Sequence, residues 1–162
     1  MKIKIAGVTK ESIVDGEGIR FVIWVQGCKH NCKGCQNKET HDFSGGKLVD
    51  VEDIKKEIDN LNIQRGITIS GGEPFEQAVE CMEIAKYTKE LGYSVWVYTG
   101  YTFEELVKDE VKLKFLQQVD ILVDGKFKIE ERDLSLNFRG SRNQRIIDVQ
   151  KSLKEKEVVE VA

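Results

Sequence analysis

The sequence contains no run of about 18 apolar residues, the length at which a helix becomes a candidate to span a bilayer. Its first residues, Met1 to Gly7, alternate lysine with isoleucine and lack the apolar stretch of a signal peptide. The formal net charge is only −3, so the chain has no excess of positive charge with which to bind nucleic acid. We therefore expect no membrane partner and no nucleic-acid partner.

Cysteine is also scarce, with four residues in 162, and three of them lie close together. This clustering differs from a disulfide framework, so we expect a reducing, cytoplasmic environment. The content of 40% hydrophobic and 33% charged residues is typical of a globular domain with one core. We predict a single domain over residues 1–162, with residues 150–162 as a charged, solvated tail.

The clustered cysteines are Cys28, Cys32 and Cys35, with the spacing Cys-x3-Cys-x2-Cys. They follow an apolar run, residues 21–25, that predicts a buried strand, and Gly27 lets the backbone turn after it. The thiols should therefore lie on a loop at the carboxyl end of that strand. Three thiolates are one fewer than the set of four cysteines that usually holds a [4Fe–4S] cluster, so one iron would be open to another ligand.

Two other interpretations of these cysteines stay open. A zinc site of three cysteines and one histidine would take His30 or His41 as its fourth ligand, although His30, between the cysteines, is poorly placed to join them on one metal. Alternatively, Cys32 and Cys35 form a redox pair of the Cys-x-x-Cys type. The fourth cysteine, Cys81, shares the apolar face of a predicted helix, so we expect a buried core side chain there.

A second segment of interest is Gly71-Gly72-Glu73, which ends a β-rich run at residues 66–70 and precedes Pro74. Proline at a helix start is ordinary capping chemistry, and it alone would explain the segment. The functional alternative is that the glycines allow the backbone to approach a ligand closely.

Strands and helices alternate along the chain. Strands are predicted at residues 2–8, 21–25, 66–70, 93–98, 120–124 and within 138–149, and helices at 51–61, 75–91 and from 102 to about 115. The pattern Thr102-Phe-Glu-Glu105 predicts a capping box at the start of the third helix. Loops are predicted at residues 37–48 and at the charged residues 126–136. This alternation predicts a mainly parallel sheet with right-handed crossovers. Because a closed barrel needs roughly 200 residues or more, we expect an α/β fold with an incomplete TIM-type barrel, an open sheet with helices on its outer face. The loops at the carboxyl strand ends should form one ligand-binding rim.

The cysteine loop together with Gly71-Gly72-Glu73 resembles the radical S-adenosylmethionine (SAM) enzymes. Residues 12–20, Ser-x-x-Asp-Gly-x-Gly-x-Arg, resemble the segment before the cysteine strand in one branch of that family, the glycyl-radical activating enzymes. Residues 97–101, 122–127 and 138–145 are similar to segments of the activating proteins of anaerobic ribonucleoside-triphosphate reductases. The resemblance covers about residues 12–149.

The resemblance implies one [4Fe–4S] cluster, held by the three clustered cysteines, with SAM bound at the open iron. The residues implied to contact SAM are Gly34, Cys35, Gln36, Gly71, Gly72 and Glu73. It further implies that a 5′-deoxyadenosyl radical removes hydrogen from a glycine of the reductase's large subunit, without a side chain acting as acid or base. An electron donor such as flavodoxin or ferredoxin would be the second partner.

The chain departs from the wider family before its third cysteine, where Gly34 replaces a common aromatic residue. Adenine must then pack elsewhere, against Trp24, Tyr98 or the backbone of residues 34–36. Other activities stay open: activation of a pyruvate formate-lyase type enzyme, chemistry on a free substrate, or a zinc- or cluster-stabilised binding module without chemistry.

Two further predictions concern the rim. A side chain added at Gly72 should meet the methionine end of SAM. Three cations in the segment 138–145 are either ordinary solvated charges or contacts to the SAM carboxylate or the reductase: Arg139, Arg142 and Arg145.

Overall fold

The computed structural model describes residues 1–30, 32–35 and 38–161. Its strands are β1 (Lys2–Ser12), β2 (Arg20–Val25), β3 (Lys47–Asp50), β4 (Gly66–Gly71), β5 (Ser94–Tyr98), β6 (Ile121–Asp124) and β7 (Arg145–Asp148). Its α-helices are α1 (Val51–Asp59), α2 (Ala78–Glu90), α3 (Phe103–Val107), α4 (Glu110–Leu116) and α5 (Val149–Glu155). Short 3₁₀ turns lie at Lys38–Thr40, Pro74–Gln77 and Ile129–Glu131.

The described strands form one seven-stranded sheet in the order β3-β1-β2-β4-β5-β6-β7. Strands β2, β4, β5 and β6 pair in parallel at its centre, while β1, β3 and β7 join by antiparallel pairing. The predicted α/β fold is confirmed, with a mixed sheet that is parallel at its centre. Since β3 and β7 do not pair in the described part of the chain, the sheet is open; the partial barrel stays a prediction.

One face of the sheet packs against the helices. Alternate residues of β2, Phe21, Ile23 and Val25, belong to the same buried core as Ile58 of α1 and Cys81 of α2. Burying side chains of this size stabilises the fold by about 1.5–3 kcal/mol each. The predicted burial of Cys81 is confirmed, and burial raises the pKa of its thiol well above the ordinary value.

The opposite face holds a buried arginine at the start of β2. The Arg20 guanidinium donates to Thr68 Oγ1 at 2.9 Å and to the carbonyl oxygens of Glu17, Ile67 and Ser94. Burial lowers its pKa to about 10. These bonds anchor the loop between β1 and β2 on the sheet, so the loop can form one wall of a site.

The predicted loop at residues 37–48 and the predicted third helix differ in the structure. Strand β3 begins in the last two residues of that loop and pairs with β1, from Lys2 opposite Asp50 to Ile5 opposite Lys47. The capping box predicted at Thr102 is confirmed, but the helix it opens stops at Val107. Asp109 then starts α4 by accepting from the backbone N–H groups of residues 111 and 112.

The end of the chain is more ordered than a solvated tail. Residues 149–155 form α5, whose Ser152 is fully buried, and Glu160 bridges to Ile147 of β7. The charged side chains of this segment remain exposed, while its helix packs on the sheet end. Within the described residues, helices long and apolar enough to traverse a bilayer are absent.

Candidate functional site

A cavity of about 490 Å³ opens at the carboxyl ends of the parallel strands. Four successive strand ends contribute to its wall: Cys28, Cys32 and Cys35 after β2, Gly71 and Gly72 at β4, Thr99 and Gly100 after β5, and Gly125 after β6. The parallel pairing of β2, β4, β5 and β6 brings these loops to one edge of the sheet. The loops therefore share one rim, as the alternation of strands and helices predicted.

The cysteine loop is tied to the segment that follows it. Gly27 N–H donates to the Thr40 carbonyl at 2.6 Å, and Cys28 N–H donates to the His41 carbonyl at 3.0 Å. Burial raises the pKa of Cys28 to about 11 and also raises the pKa of Cys32. Each of these thiols needs a cation at its sulfur to become the thiolate that ligates iron.

The placement of the sulfurs bears on which metal they fit. Across residues 1–30, 32–35 and 38–161, no three His, Cys, Asp or Glu side chains lie close enough together to hold a single ion. Zinc needs its ligands to converge on one point. A [4Fe–4S] cluster binds each cysteine through a different iron, so its ligands stand further apart. The three thiols that line the cavity form a donor set that suits a [4Fe–4S] cluster with one open iron.

Glu73 is 1% exposed, and protein donors surround its carboxylate. It accepts from Phe75 N–H at 3.0 Å, from Gly100 N–H at 2.8 Å and from the Thr99 hydroxyl at 2.8 Å, while His30 Nε2 lies 2.6 Å from Oε1. The carboxylate thus joins the cysteine loop to the ends of β4 and β5. This clamp was not indicated by the sequence, and the implied contact of Glu73 with SAM stays a prediction.

Gly72 lines the cavity with its backbone. A Cβ added there would lie 2.4 Å from the Gly27 carbonyl oxygen and 2.8 Å from the Thr40 carbonyl oxygen. A side chain at this position would therefore meet the protein backbone, and its contact with SAM stays a prediction. Glycine is required because the end of β4 packs directly on the backbone that carries the cysteine loop.

The remaining residues implied to contact SAM divide into three groups. Cys35 and Gly71 line the cavity. Gly34 is not among the lining residues, and its φ of +76° gives a structural reason for glycine in the turn. Gln36 lies outside the described residues.

Both aromatic candidates for adenine packing, Trp24 and Tyr98, line the cavity. The Trp24 indole donates to Thr9 Oγ1 at 2.9 Å, which fixes the ring at the cavity wall. Burial raises the pKa of Tyr98 above its ordinary value, so its hydroxyl is neutral at physiological pH.

The three predicted rim cations take different positions. Arg139 lines the cavity, whereas Arg142 is not among the lining residues. Arg145 Nη2 lies 2.6 Å from both Asp124 Oδ2 and Glu104 Oε1. The hydrogen bonds to Asp124 and Glu104 raise the pKa of Arg145 above its ordinary value, and they hold its guanidinium at the β6–β7 edge of the sheet. These ion pairs give Arg145 a structural role, and its contact with SAM or the reductase stays a prediction.

Sequence reasoning missed the segment that overhangs the cavity. Asp133, Leu134, Leu136, Asn137 and Phe138 line the mouth. Leu134 is 80% exposed, and Phe138 has a φ of +63°. The only available signal was the charged, irregular composition of residues 126–136, which predicted a loop without indicating where it folds.

The chain matches a known protein family over most of its length. A family model described as "4Fe-4S single cluster domain" matches residues 14–147. The anaerobic ribonucleoside-triphosphate reductase-activating protein of Pasteurella multocida is 36% identical over 141 residues, covering 82% of this chain and 89% of that protein. The protein of the same name from Haemophilus influenzae is 39% identical over 140 residues, with the same coverage of 82% and 89%.

Among solved structures, the crystal structure of QueE from Escherichia coli matches with a TM-score of 0.51 and 16% identity. The match covers 76% of this chain and 70% of that chain, and it shows a likeness of fold alone. The family model and the relatives extend over most of the chain and over the cysteine loop. The chain therefore belongs to the family of anaerobic ribonucleoside-triphosphate reductase-activating proteins and contains a 4Fe–4S single cluster domain.

Proposed function

We propose that this protein cleaves SAM reductively at a [4Fe–4S] cluster and thereby generates a glycyl radical on the large subunit of anaerobic ribonucleoside-triphosphate reductase. The observation that carries the proposal is that three cysteine thiols and the Gly71-Gly72 backbone line one cavity. The choice of target is supported by the relatives, which are named activating proteins of this reductase.

Cys28, Cys32 and Cys35 are the residues that would hold the cluster, since all three line the cavity. A cluster held there would supply the one electron that cleaves a C–S bond of SAM into methionine and a 5′-deoxyadenosyl radical, which would take a hydrogen atom from a glycine and become 5′-deoxyadenosine. The protein contributes binding and orientation, with no side chain as acid or base. Trp24 and Tyr98 offer aromatic surface to the adenine, and the backbone at Gly71 and Gly72 allows close approach.

The mouth of the cavity suits a polypeptide substrate. Ile13, Val14 and Leu134 line it and are 74%, 70% and 80% exposed. Large apolar side chains grouped at a site entrance favour contact with another protein. We propose that this rim meets the loop of the reductase that carries the glycine. We also propose flavodoxin or ferredoxin as the electron donor and a cytoplasmic location, where thiols stay reduced.

Anaerobic purification with iron, sulfide and zinc analysis tests the cluster. Wild-type protein should hold about four irons per chain and show an EPR signal on reduction that SAM alters. Cys28→Ala, Cys32→Ala and Cys35→Ala should each lose the cluster, whereas the matched control Cys81→Ala should keep it, because Cys81 is buried in the core. Protein isolated with zinc and without iron would contradict the proposal.

The target needs a separate assay. With dithionite and SAM, the protein should produce a glycyl radical on the reductase, and the same assay on pyruvate formate-lyase should give none. Cleavage of SAM without radical on either protein would favour a free substrate, and it would contradict the proposed partner.

A further inference from the structure

His41 contacts two of the three clustered cysteines. Its ring Nε2 lies 3.3 Å from Cys35 Sγ, and its carbonyl oxygen accepts from Cys28 N–H at 3.0 Å. The residue also lines the cavity. His41 is therefore held in place by its backbone while its imidazole reaches a candidate ligand sulfur.

The two histidines of the chain have separate roles. His30 Nε2 is engaged by the Glu73 carboxylate at 2.6 Å, so that ring holds the cysteine loop against the strand ends. His41 Nε2 faces a sulfur instead. Since no three potential ligands in the described residues converge on one ion, its ring is better placed to hydrogen-bond a sulfur than to complete a zinc site.

The direction of the hydrogen bond follows from the chemistry of the ligand. A cysteine that ligates iron is a thiolate and can only accept. The imidazole must then carry a proton on Nε2 and donate a hydrogen bond to Cys35 Sγ. Hydrogen bonds to the sulfurs help to set the reduction potential of iron–sulfur clusters, because they withdraw negative charge and stabilise the reduced form.

We propose that His41 is a positioning residue that hydrogen-bonds the Cys35 thiolate and raises the reduction potential of the cluster. This inference rests on the proposed function, because it requires a cluster at the three cysteines. A residue that is not a cluster ligand then helps to set the reduction potential, so the imidazole of His41 affects how readily an electron donor of fixed potential reduces this protein.

Redox titration monitored by EPR tests the proposal, on reconstituted protein without SAM. His41→Phe removes the donor and keeps a ring, and its midpoint should move to a more negative potential. At a fixed applied potential the ratio of reduced to oxidised cluster should fall roughly tenfold, which is about 59 mV for one electron. His41→Gln keeps an amide N–H and should recover part of the shift. Phe43→Leu, which changes an uncharged side chain two positions after His41, is the matched control, and its midpoint potential should equal that of the wild type.

The outcomes separate this inference from the proposed function. A wild-type protein that assembles no cluster contradicts the proposed function. A wild-type cluster whose midpoint is unchanged in His41→Phe overturns the inference alone. If His41→Phe fails to retain iron, the test is pulsed EPR on wild-type protein labelled with ¹⁵N-histidine. The reduced cluster should show a weak coupling to nitrogen, and this coupling should be missing in labelled His41→Gln. Absence of that coupling in the wild type would overturn the inference.

Discussion

Replacing Glu73 by glutamine tests whether its carboxylate clamps the site together. Glu73 is 1% exposed and meets donors from Phe75, Thr99, Gly100 and His30. Glutamine has the same shape, but it offers one acceptor oxygen and an NH₂ group that only donates. Whichever way the amide turns, its NH₂ group faces a donor that the carboxylate had satisfied.

The magnitude follows from the lost bonds. A buried donor left unsatisfied costs about 1–3 kcal/mol, and hydrogen bonds to a charged group contribute about 1.5–3 kcal/mol each. Allowing for partial rearrangement, we expect Glu73→Gln to lower the free energy of unfolding by about 3 kcal/mol. For a chain of this size that loss lowers the Tm by about 6–12 °C.

The assay is thermal unfolding of the cluster-free protein followed by circular dichroism. Glu57→Gln is the control, because Glu57 is an exposed glutamate on α1. A surface substitution of this kind changes stability by less than about 0.5 kcal/mol, so the Tm of the control should stay within about 2 °C of the wild type.

The clamp also predicts an effect on the cysteine loop. Freed from Glu73, His30 should no longer restrain the loop, and Cys28 and Cys32 should react faster with iodoacetamide in the variant than in the wild type. A Tm for Glu73→Gln no lower than that of the control, with unchanged thiol labelling, would refute the reasoning.

Three further substitutions test other contacts by urea unfolding. Gly72→Ala places a Cβ 2.4 Å from a backbone carbonyl oxygen and should cost about 1–3 kcal/mol, with no SAM present. Thr102→Ala removes a capping box and should cost about 1 kcal/mol. Arg145→Gln takes the cation from the buried Asp124 and should cost about 2–3 kcal/mol, less than a fully buried pair because Arg145 is 26% exposed. The hydrogen bond from Arg145 also lowers the pKa of Glu104, so this pair stabilises the fold at pH values above the ordinary glutamate pKa. That stability is lost as Glu104 is protonated below about pH 4. The wild type should therefore lose more stability than Glu104→Gln as the pH falls through this range.

The sequence by itself determined the features that depend on short stretches of chain. The apolar run at residues 21–25 and the β-rich run at residues 66–70 predicted strands, and β2 and β4 appear there. The capping pattern at Thr102 predicted a helix start that the structure contains. The Cys-x3-Cys-x2-Cys spacing indicated the site directly, because three ligands from one loop need no other part of the fold to bring them together.

Tertiary structure alone decided the features that join distant residues. The clamp between His30 and Glu73 connects positions 43 residues apart, and the Arg145–Glu104 pair connects positions 41 apart. Strand β3 was not predicted, and its first two residues were assigned to a loop, because its order comes from pairing with β1. No local pattern encodes such contacts, since they form only when packing brings the elements together.

Gly72 illustrates the difference most clearly. The sequence predicted correctly that this position needs glycine, because the residue follows a strand at the expected ligand edge. It did not indicate which protein atoms a side chain would meet: the nearest is the carbonyl oxygen of Gly27, 45 positions earlier. A sequence records that space is limited at a residue, but only the folded backbone decides which atoms occupy that space.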